Sequence, residues 1–356
     1  MRVLIDTSYA ARGPSGIGVY VEALVAALRE RREVELVEAS QPRRLPRGRS
    51  GERWNPLRSA ANALLDLAWL HRGLPRAART SRAEVVHHPL PAHARRLGTA
   101  QVSTFHDVAF ERLPAEYDPI WRRLARRQYR RAARRSDALV CVSKATAGDV
   151  VALLGITPER IVVAPHGPGQ PLPQVEHGSP PTHFLFVGDD EPRKGLPSLL
   201  DAYAAYRGRR ERPLGLVLAG GAARSAAGGG VRGEPHPTSA RLASLLAGAA
   251  ALVHPSLHEG FGLTLLEAMA AGTPVVAVRN PATEEVCGEA ALLVERDELA
   301  DGLERVDADP ALRERLAQAG RERARAFSWG ESARLHEQAY NFAFQNHMRA
   351  RGPTEE

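Results

Sequence analysis

The chain has 356 residues, of which 44% are hydrophobic and 25% are charged, values typical of a globular protein large enough for two domains. No run of 18 apolar residues occurs, and the first residues lack the apolar core of a signal peptide, so we expect a cytoplasmic protein without a membrane-spanning helix. The two cysteines, Cys141 and Cys287, are too few and too far apart for a disulfide framework or a zinc site.

Short apolar strands alternate with amphipathic helices along the first half, a pattern typical of a parallel sheet with helices on both faces. The predicted strands are residues 3–6, 33–38, 85–86, 102–105, 138–142 and 161–164, and the predicted helices are residues 17–29, 60–78, 120–135 and 144–154. A polar loop is predicted at residues 43–54.

The same pattern restarts after a proline-rich segment. Residues 165–182 hold six prolines, a composition that predicts an interdomain linker. The strands predicted beyond it are residues 184–187, 216–218, 250–253, 275–278 and 292–294, and the helices are residues 197–206, 241–248, 263–271, 296–307, 309–326 and 331–348. Two parallel-sheet halves with a cleft between them follow from this order.

The net charge of +7 is distributed unevenly between these halves. Residues 1–160 contain 28 Lys and Arg against 16 Asp and Glu, whereas the remainder contains 20 against 25. A basic first half indicates an anionic partner on that side.

A glycine-rich loop, containing Gly13, Gly16 and Gly18, follows the first strand and precedes a helix. Glycines there let backbone N–H groups approach a phosphate or a sugar. The spacing differs from the dinucleotide fingerprint, but Glu38 ends the second strand twenty residues after Gly18. A nicotinamide oxidoreductase therefore stays open at this point, although it leaves the second half unexplained.

Histidines follow two other strands of the first half. His106 and Asp107 come directly after a strand, where an imidazole can donate to a sugar hydroxyl and a carboxylate can orient it. His87 and His88 close an earlier strand and either line the acceptor side or only cap that strand.

The first strand of the second half leads into Gly188 and then into Arg193 and Lys194. Departure of a nucleoside diphosphate builds negative charge, which fixed cations stabilise. Lys194 is one of only two lysines in an arginine-rich chain. The alternative is an exposed turn with two solvated cations.

The segment from His254 to Val278 contains two glutamates eight residues apart, Glu259 and Glu267. The turn Gly260-Phe261-Gly262 lies between them, and a helix begins at Leu263. The N–H groups at a helix N-terminus suit a phosphate, and carboxylates accept hydrogen bonds from sugar hydroxyls. This arrangement indicates a nucleotide-sugar pocket; alternatively, both glutamates are ordinary surface charges.

This segment resembles the signature of the retaining glycosyltransferases of family 4, with its Glu-x7-Glu pattern intact. The resemblance implies the GT-B fold, an α/β architecture in which two Rossmann-like doubly wound parallel-sheet domains face each other across a cleft. The implied division is an acceptor-side domain at residues 1–170, a linker at 171–182 and a nucleotide-sugar-binding domain at 183–330. A C-terminal helix at about 331–348 would pack back on the first domain.

The resemblance further implies transfer of a hexose, of mannose or glucose type, from a nucleoside-diphosphate sugar to a glycan, lipid-linked or natural-product acceptor. It implies no metal and no cofactor besides the nucleotide sugar. Catalytic roles fall to His106, Arg193, Lys194 and Glu259, with Glu259 at the donor sugar and the two cations at the leaving diphosphate. Donor binding falls to Gly16, Gly18, Gly188, Gly260, Phe261, Gly262, Leu263 and Glu267, with Glu267 at the ribose.

Two questions stay open in the sequence. Residues 219–238 are rich in glycine and alanine where family relatives carry a helix and a strand beside the base, so the base is undecided. A trimmed segment is also compatible with a non-catalytic glycosyltransferase-like binding protein. The intact Glu259, Glu267, Arg193 and Lys194 argue against that alternative.

The helix predicted at residues 120–135 carries eight arginines, from Arg122 to Arg135. This basic stripe predicts either peripheral contact with an anionic inner-membrane surface, or a phosphorylated acceptor, or only a solvated helix face. No motif supports nucleic-acid binding.

Overall fold

A computed structural model describes residues 1–10, 15–42, 56–95, 97–169, 172–173, 175 and 180–351. The polar loop predicted at 43–54, Gly13 of the glycine-rich loop and part of the linker predicted at 171–182 lie outside the described residues. The domain limits given above stay predictions.

The first half forms a six-stranded parallel sheet in the order β2-β1-β3-β4-β5-β6. Its strands are β1 (Arg2–Asp6), β2 (Glu35–Ala39), β3 (Val85–His88), β4 (Ala100–Phe105), β5 (Ala138–Cys141) and β6 (Ile161–Val163). Its helices are α1 (Gly16–Arg29), α2 (Pro56–Ala68), α3 (Leu74–Ser81), the short α4 (Ala109–Arg112), α5 (Pro119–Arg135) and α6 (Lys144–Leu154). The sequence did not predict α4.

Residues 60–78 are helical as predicted, but the sequence did not predict the π-helical turn, Trp69–Gly73, that separates α2 from α3. Pro75 has no N–H with which to continue an α-helical ladder. The N–H of Leu74 instead donates to the carbonyl of Trp69, five residues back. The wider turn places the Trp69 indole where Nε1 donates to Asp6 Oδ2, 3.1 Å away at the end of β1.

The second half forms another six-stranded parallel sheet, in the order β12-β11-β10-β7-β8-β9. Its strands are β7 (His183–Val187), β8 (Gly215–Ala219), β9 (Val231–Glu234), β10 (Ala249–His254), β11 (Val275–Val278) and β12 (Leu292–Val294). Its helices are α7 (Leu196–Gly208), α8 (Ser239–Ala247), α9 (Leu263–Ala271), α10 (Pro281–Cys287), α11 (Leu299–Ala308), α12 (Pro310–Ala324) and α13 (Trp329–Arg351). The sequence analysis did not predict α10, which Asn280 caps by accepting from the N–H groups of Ala282 and Thr283. The two sheets confirm the predicted pair of doubly wound parallel layers.

The glycine- and alanine-rich segment after β8 keeps a strand. A 3₁₀ turn, Gly220–Ser225, leads into β9, which pairs in parallel with β8 at the edge of the sheet. Of the helix and the strand that the resemblance implies for this segment, the strand is therefore present and a 3₁₀ turn stands in place of the helix.

Alternating residues of the strands point to opposite helical layers, as expected for strands buried on both faces. Val3 and Ile5 of β1 pack with α1 and α13, whereas Leu4 packs with α3. In the second sheet, Leu185 of β7 packs with α8 and α9, and its neighbours Phe184 and Phe186 pack with α7 and α11. The last helix, α13, therefore covers the first sheet although it follows the second in the chain.

The two halves make hydrogen bonds beside the cleft. Ser143 Oγ, at the N-cap of α6, donates to the Gly260 carbonyl at 2.6 Å. The Glu285 carboxylate of α10 accepts from the N–H groups of Lys144 and Ala145, at 2.8 and 2.9 Å. A carboxylate from the second half thus caps a helix of the first half and interacts favourably with its dipole.

Candidate active site

A cavity of about 330 Å³ lies in the cleft, where the carboxyl ends of strands from both sheets meet. Ten of the residues predicted from the sequence line it, namely Gly16, His106, Gly188, Arg193, Lys194, Glu259, Gly260, Phe261, Gly262 and Leu263. Asp107 lines it as well. The structure therefore brings the motifs of both halves to one place.

Glu259 lies at the centre of a buried cluster of charges. Its Oε2 is 2.7 Å from Lys194 Nζ, and its Oε1 is 3.4 Å from an Arg193 guanidinium nitrogen. The Nε2 atom of His254 approaches Glu259 Oε2 to 3.3 Å without hydrogen-bonding geometry. Burial acts to raise the pKa of Glu259, but Lys194, His254 and Arg193 outweigh it and hold that pKa well below the usual value. The carboxylate is therefore ionised at neutral pH and can only accept hydrogen bonds.

The two cations are held by a turn that requires glycine. Arg193 and Lys194 form a 3₁₀ turn ending at Gly195, which has φ +68°. A Cβ there would lie 2.2 Å from the Pro255 carbonyl oxygen. The N–H of Leu257 donates to the Arg193 carbonyl at 2.8 Å, which ties this turn to the loop after β10. Arg193 is also paired with the half-exposed Glu191, at 2.9 Å. The cations are thus fixed before any ligand arrives.

The N-terminus of α9 forms another wall of the cavity. Gly262, with φ +93°, precedes the helix and has no side chain to cap its first N–H groups. Gly262, Leu263 and Thr264 all line the cavity. Uncapped N–H groups and the helix dipole favour an anion at this position.

His106 contributes an imidazole whose tautomer is set by the backbone. Its Nε2 lies 2.9 Å from the Pro89 carbonyl oxygen, which can only accept, so Nε2 carries the proton. Burial lowers the pKa of His106, against the opposing effects of the Pro89 carbonyl and of Asp107. The ring is therefore neutral at pH 7, and Nδ1 is left as an acceptor, whereas the sequence analysis expected this histidine to donate.

Gly18 and Glu267 are not among the residues that line the cavity. Gly18 is buried in α1, and its N–H donates to Ser15 Oγ at 3.1 Å. Glu267 lies one turn inside α9 and packs against the segment after β6. A Cβ on Gly169 of that segment would be 1.8 Å from Glu267 Oε1. Their roles in donor binding stay predictions.

Family models match both halves of the chain. The model described as Glycosyltransferase Family 4 matches residues 14–167, and the one described as Glycosyl transferases group 1 matches residues 173–323. The chain belongs to the family 4 glycosyltransferases. The family predicted from the Glu-x7-Glu segment is thereby confirmed.

A curated relative is the MMP alpha-(1->4)-mannosyltransferase of Mycolicibacterium hassiacum, which is 38% identical over 232 residues. The match covers 59% of this chain and 56% of the relative, so this family 4 chain spans little more than half of the relative's length.

Solved structures show the fold. A sucrose-phosphate synthase from Thermosynechococcus elongatus superposes with a TM-score of 0.75 at 18% identity, covering 97% of this chain and 99% of that one. Anabaena Alr3699/HepE, solved in complex with UDP-glucose, gives a TM-score of 0.64 at 16% identity, with 96% and 98% covered. The family 4 chain thus has the predicted GT-B fold.

His166 of this family 4 chain also lines the cavity, although the sequence placed it only in the proline-rich segment at residues 165–182, without a functional role. It is 3% exposed, and its ring stacks on Trp329 of α13 with the centroids 5.3 Å apart. Burial, with smaller effects from His106 and His336, lowers the pKa of His166 well below its usual value. Its position just after β6, at the carboxyl end of a parallel strand, is the same signal that identified His106.

Two further observations concern the residues that the structure describes. They contain no group of three or more His, Cys, Asp or Glu side chains placed to hold a metal ion. Their helices include none that is both long enough and apolar enough to cross a bilayer.

Proposed function

We propose that this chain transfers a hexose of mannose or glucose type from a nucleoside-diphosphate sugar to a glycan, lipid-linked or natural-product acceptor, with retention of configuration. The observation that carries the proposal is the buried Glu259–Lys194–Arg193 cluster facing the uncapped N-terminus of α9 across one cavity. The relative named as a mannosyltransferase and the UDP-glucose complex of a structure with the same fold support this donor class.

In this proposal, charge complementarity drives the chemical step. As the bond from the sugar to the diphosphate breaks, negative charge grows on the departing oxygen. Arg193 and Lys194 are fixed cations with side chains only 16% exposed, so little water has to reorganise around them. The N–H groups at the start of α9 supply further donors to the diphosphate. The family generally needs no metal, and we propose that these groups supply the positive charge here.

The remaining groups would orient the donor. The ionised Glu259 carboxylate accepts from hydroxyls of the donor sugar, and Glu267 accepts from those of the ribose. His106 Nδ1 accepts from one further sugar hydroxyl, because its Nε2–H is engaged by Pro89. Gly16 lines the donor cavity together with Leu263, and a Cβ on Gly16 would lie 3.8 Å from the Leu263 side chain, which suits a role beside the diphosphate.

A thermal-shift panel of nucleoside diphosphates and their sugars, with EDTA present, tests the donor site. A ligand that binds the folded state raises the melting temperature by mass action. The chain offers a matched pair of variants, because Lys144, its other lysine, is exposed at the start of α6. Lys194→Ala should weaken binding of the preferred nucleotide by about tenfold to a hundredfold, the value of a charge-assisted hydrogen bond, whereas Lys144→Ala should leave it unchanged.

The outcomes separate the candidate functions. A shift for one nucleotide family, lost in Lys194→Ala alone, supports the donor site and identifies the base. Binding of that donor without sugar transfer to any acceptor extract would instead favour the non-catalytic binding protein. No shift with any nucleotide in a folded sample would refute the proposed donor class.

We also propose that α5 rests on an anionic membrane surface. Arg123, Arg130 and Arg134 are exposed, and so are the apolar side chains of Ile120 and Trp121 near the start of the same helix. Cations beside exposed apolar groups suit an interface with acidic lipids. Co-sedimentation with phosphatidylglycerol vesicles, but not with phosphatidylcholine vesicles, is expected; equal sedimentation with both would count against it.

A further inference from the structure

A second cavity, of about 620 Å³, lies within the first half between α2, the π-helical turn, α5 and the residues after β3. It adjoins the donor cavity at one point, because Pro89 lines the second cavity while its carbonyl accepts from His106 of the first. Pro89 and His106 therefore connect the two cavities.

One wall of this cavity is cationic. Arg127 and Arg131 are four residues apart on α5 and so lie on the same face of the helix, with Arg95 beside them. Within the described residues, neither Arg127 nor Arg131 has a carboxylate partner, whereas Arg126 on the same helix is paired with Glu111. These two guanidinium groups are therefore available to an anion.

Two histidines extend this wall. Burial lowers the pKa of His93 to about 4, with further contributions from His88 and Arg131, and burial with Arg131 and Arg95 lowers the pKa of His71. Both rings are neutral at pH 7 and remain hydrogen-bond donors or acceptors. Burial, the largest cause of both shifts, disfavours a charge of either sign, but the smaller effects of Arg131 on both histidines and of Arg95 on His71 come from nearby positive charge, which attracts an anion.

The carboxylates in the cavity do not cancel the arginines. Asp6 lines the cavity and accepts hydrogen bonds from Ser8 and from Trp69 Nε1, so both of its carboxylate oxygens already have donors. Asp66 lines the α2 side, opposite the arginines of α5. Three arginines line the cavity against these two carboxylates.

Part of the lining of this cavity is apolar. Leu67, Leu70, Leu90 and Leu124 line the cavity, and Leu67 and Leu124 are more than half exposed. A smaller cavity of about 220 Å³ continues from Leu90 and Leu124 to Trp121. A ligand with a charged group and an apolar body matches both walls.

We infer that this cavity binds the phosphate group of the acceptor, with Arg127 and Arg131 as its principal partners. The inference rests on the proposed function, because it assigns the acceptor to the first half and the donor to the cleft. The guanidinium groups form charge-assisted hydrogen bonds to phosphate oxygens, and the leucine wall holds an apolar chain attached to that phosphate. A soluble phosphate ester and a lipid phosphate share this chemistry, and the apolar wall favours the lipid.

Isothermal titration of the full chain with three probes tests the inference, namely glycerol 3-phosphate, farnesyl phosphate and the uncharged farnesol. Two double variants remove the same amount of charge. Arg127→Gln with Arg131→Gln alters the cavity, whereas Arg315→Gln with Arg325→Gln alters exposed positions of the second half that do not line it. The first pair should weaken binding of the phosphate probes by about tenfold to a hundredfold, and the second by less than about twofold.

Stronger binding of farnesyl phosphate than of glycerol 3-phosphate would support a lipid-linked acceptor, and equal binding would support a soluble phosphate acceptor. Equal losses in both double variants, or binding of farnesol as tight as that of farnesyl phosphate, would overturn the inference. Binding of the donor nucleotide is measured in every variant. If it persists while the phosphate probes ignore Arg127 and Arg131, this inference alone fails; if no nucleotide binds, the proposed function fails.

Discussion

Gly260 holds the two halves of the molecule at a distance that an added methyl group would not permit. A Cβ at this position would lie 1.7 Å from the His106 carbonyl oxygen, across the cleft, whereas real Cβ contacts are essentially never closer than 3.0 Å. Gly260→Ala must therefore separate the two backbones by at least about 1.3 Å. The Gly260 carbonyl accepts from Ser143 Oγ at 2.6 Å and from Thr146 Oγ1 at 3.1 Å, and both hydrogen bonds would be stretched or lost.

The expected cost follows from these contacts. Overpacking a well-packed site typically costs about 1–3 kcal/mol, and each lost hydrogen bond adds about 1 kcal/mol. We expect Gly260→Ala to reduce the free energy of unfolding by about 3–5 kcal/mol. If the cleft opens instead, the strain appears as weaker donor binding, because Gly260 and His106 both line the donor cavity.

Denaturant unfolding and nucleotide titration of the same variant measure the two effects. Gly148→Ala is the matched control, since Gly148 lies inside α6 and a Cβ there would meet nothing within 4 Å. That control should gain stability by about 0.5–1 kcal/mol, the usual difference between alanine and glycine in a helix. A Gly260→Ala protein with unchanged stability and unchanged nucleotide affinity would refute the packing argument.

Two further predictions concern buried titratable groups and the contact between the halves. Burial lowers the pKa of His336 from 6.5 to about 4. Above pH 6.5 the ring is neutral in both the folded and the unfolded protein. As the pH falls toward 4 the unfolded protein takes up the proton first, so the free energy of unfolding falls by about 3 kcal/mol in total. Urea unfolding between pH 7.5 and pH 4.5 should show this loss together with those of the other buried histidines, His106 and His166 among them, and His336→Gln should make the profile less steep. An equally steep profile in the variant would contradict the assignment. Glu285→Ala removes the two hydrogen bonds that Glu285 accepts at the start of α6 and should cost about 1–2 kcal/mol, although Ser143 still caps the helix. Glu284→Ala, which removes an exposed pair with Arg279, should cost less than about 0.5 kcal/mol. Equal melting temperatures for those two variants would argue against the cap.

Local chemistry explains how much of the fold and of the site the sequence alone predicted. The turn at Gly260–Leu263 and the helix that follows are specified by neighbouring residues, because glycines permit the turn and the apolar period defines the helix. The parallel strands then determine where these residues lie. The carboxyl ends of parallel strands share one edge of a sheet, so His106, Lys194 and Glu259 reach the same cleft.

The tertiary structure decided which partners these residues have. The ion pair between Lys194 and Glu259 joins positions 65 residues apart, and the Pro89 carbonyl selects the His106 tautomer. The packing of Glu267 against the segment at Gly169, and the position of Arg127 and Arg131 along the lining of a cavity, were equally invisible in the sequence. A motif fixes which groups are present and the local backbone that carries them. The packing of separate helices and strands sets the distances, the burial and the charge balance. Desolvation and ion pairing depend on what surrounds a side chain in space, and not on which residues precede or follow it in the sequence.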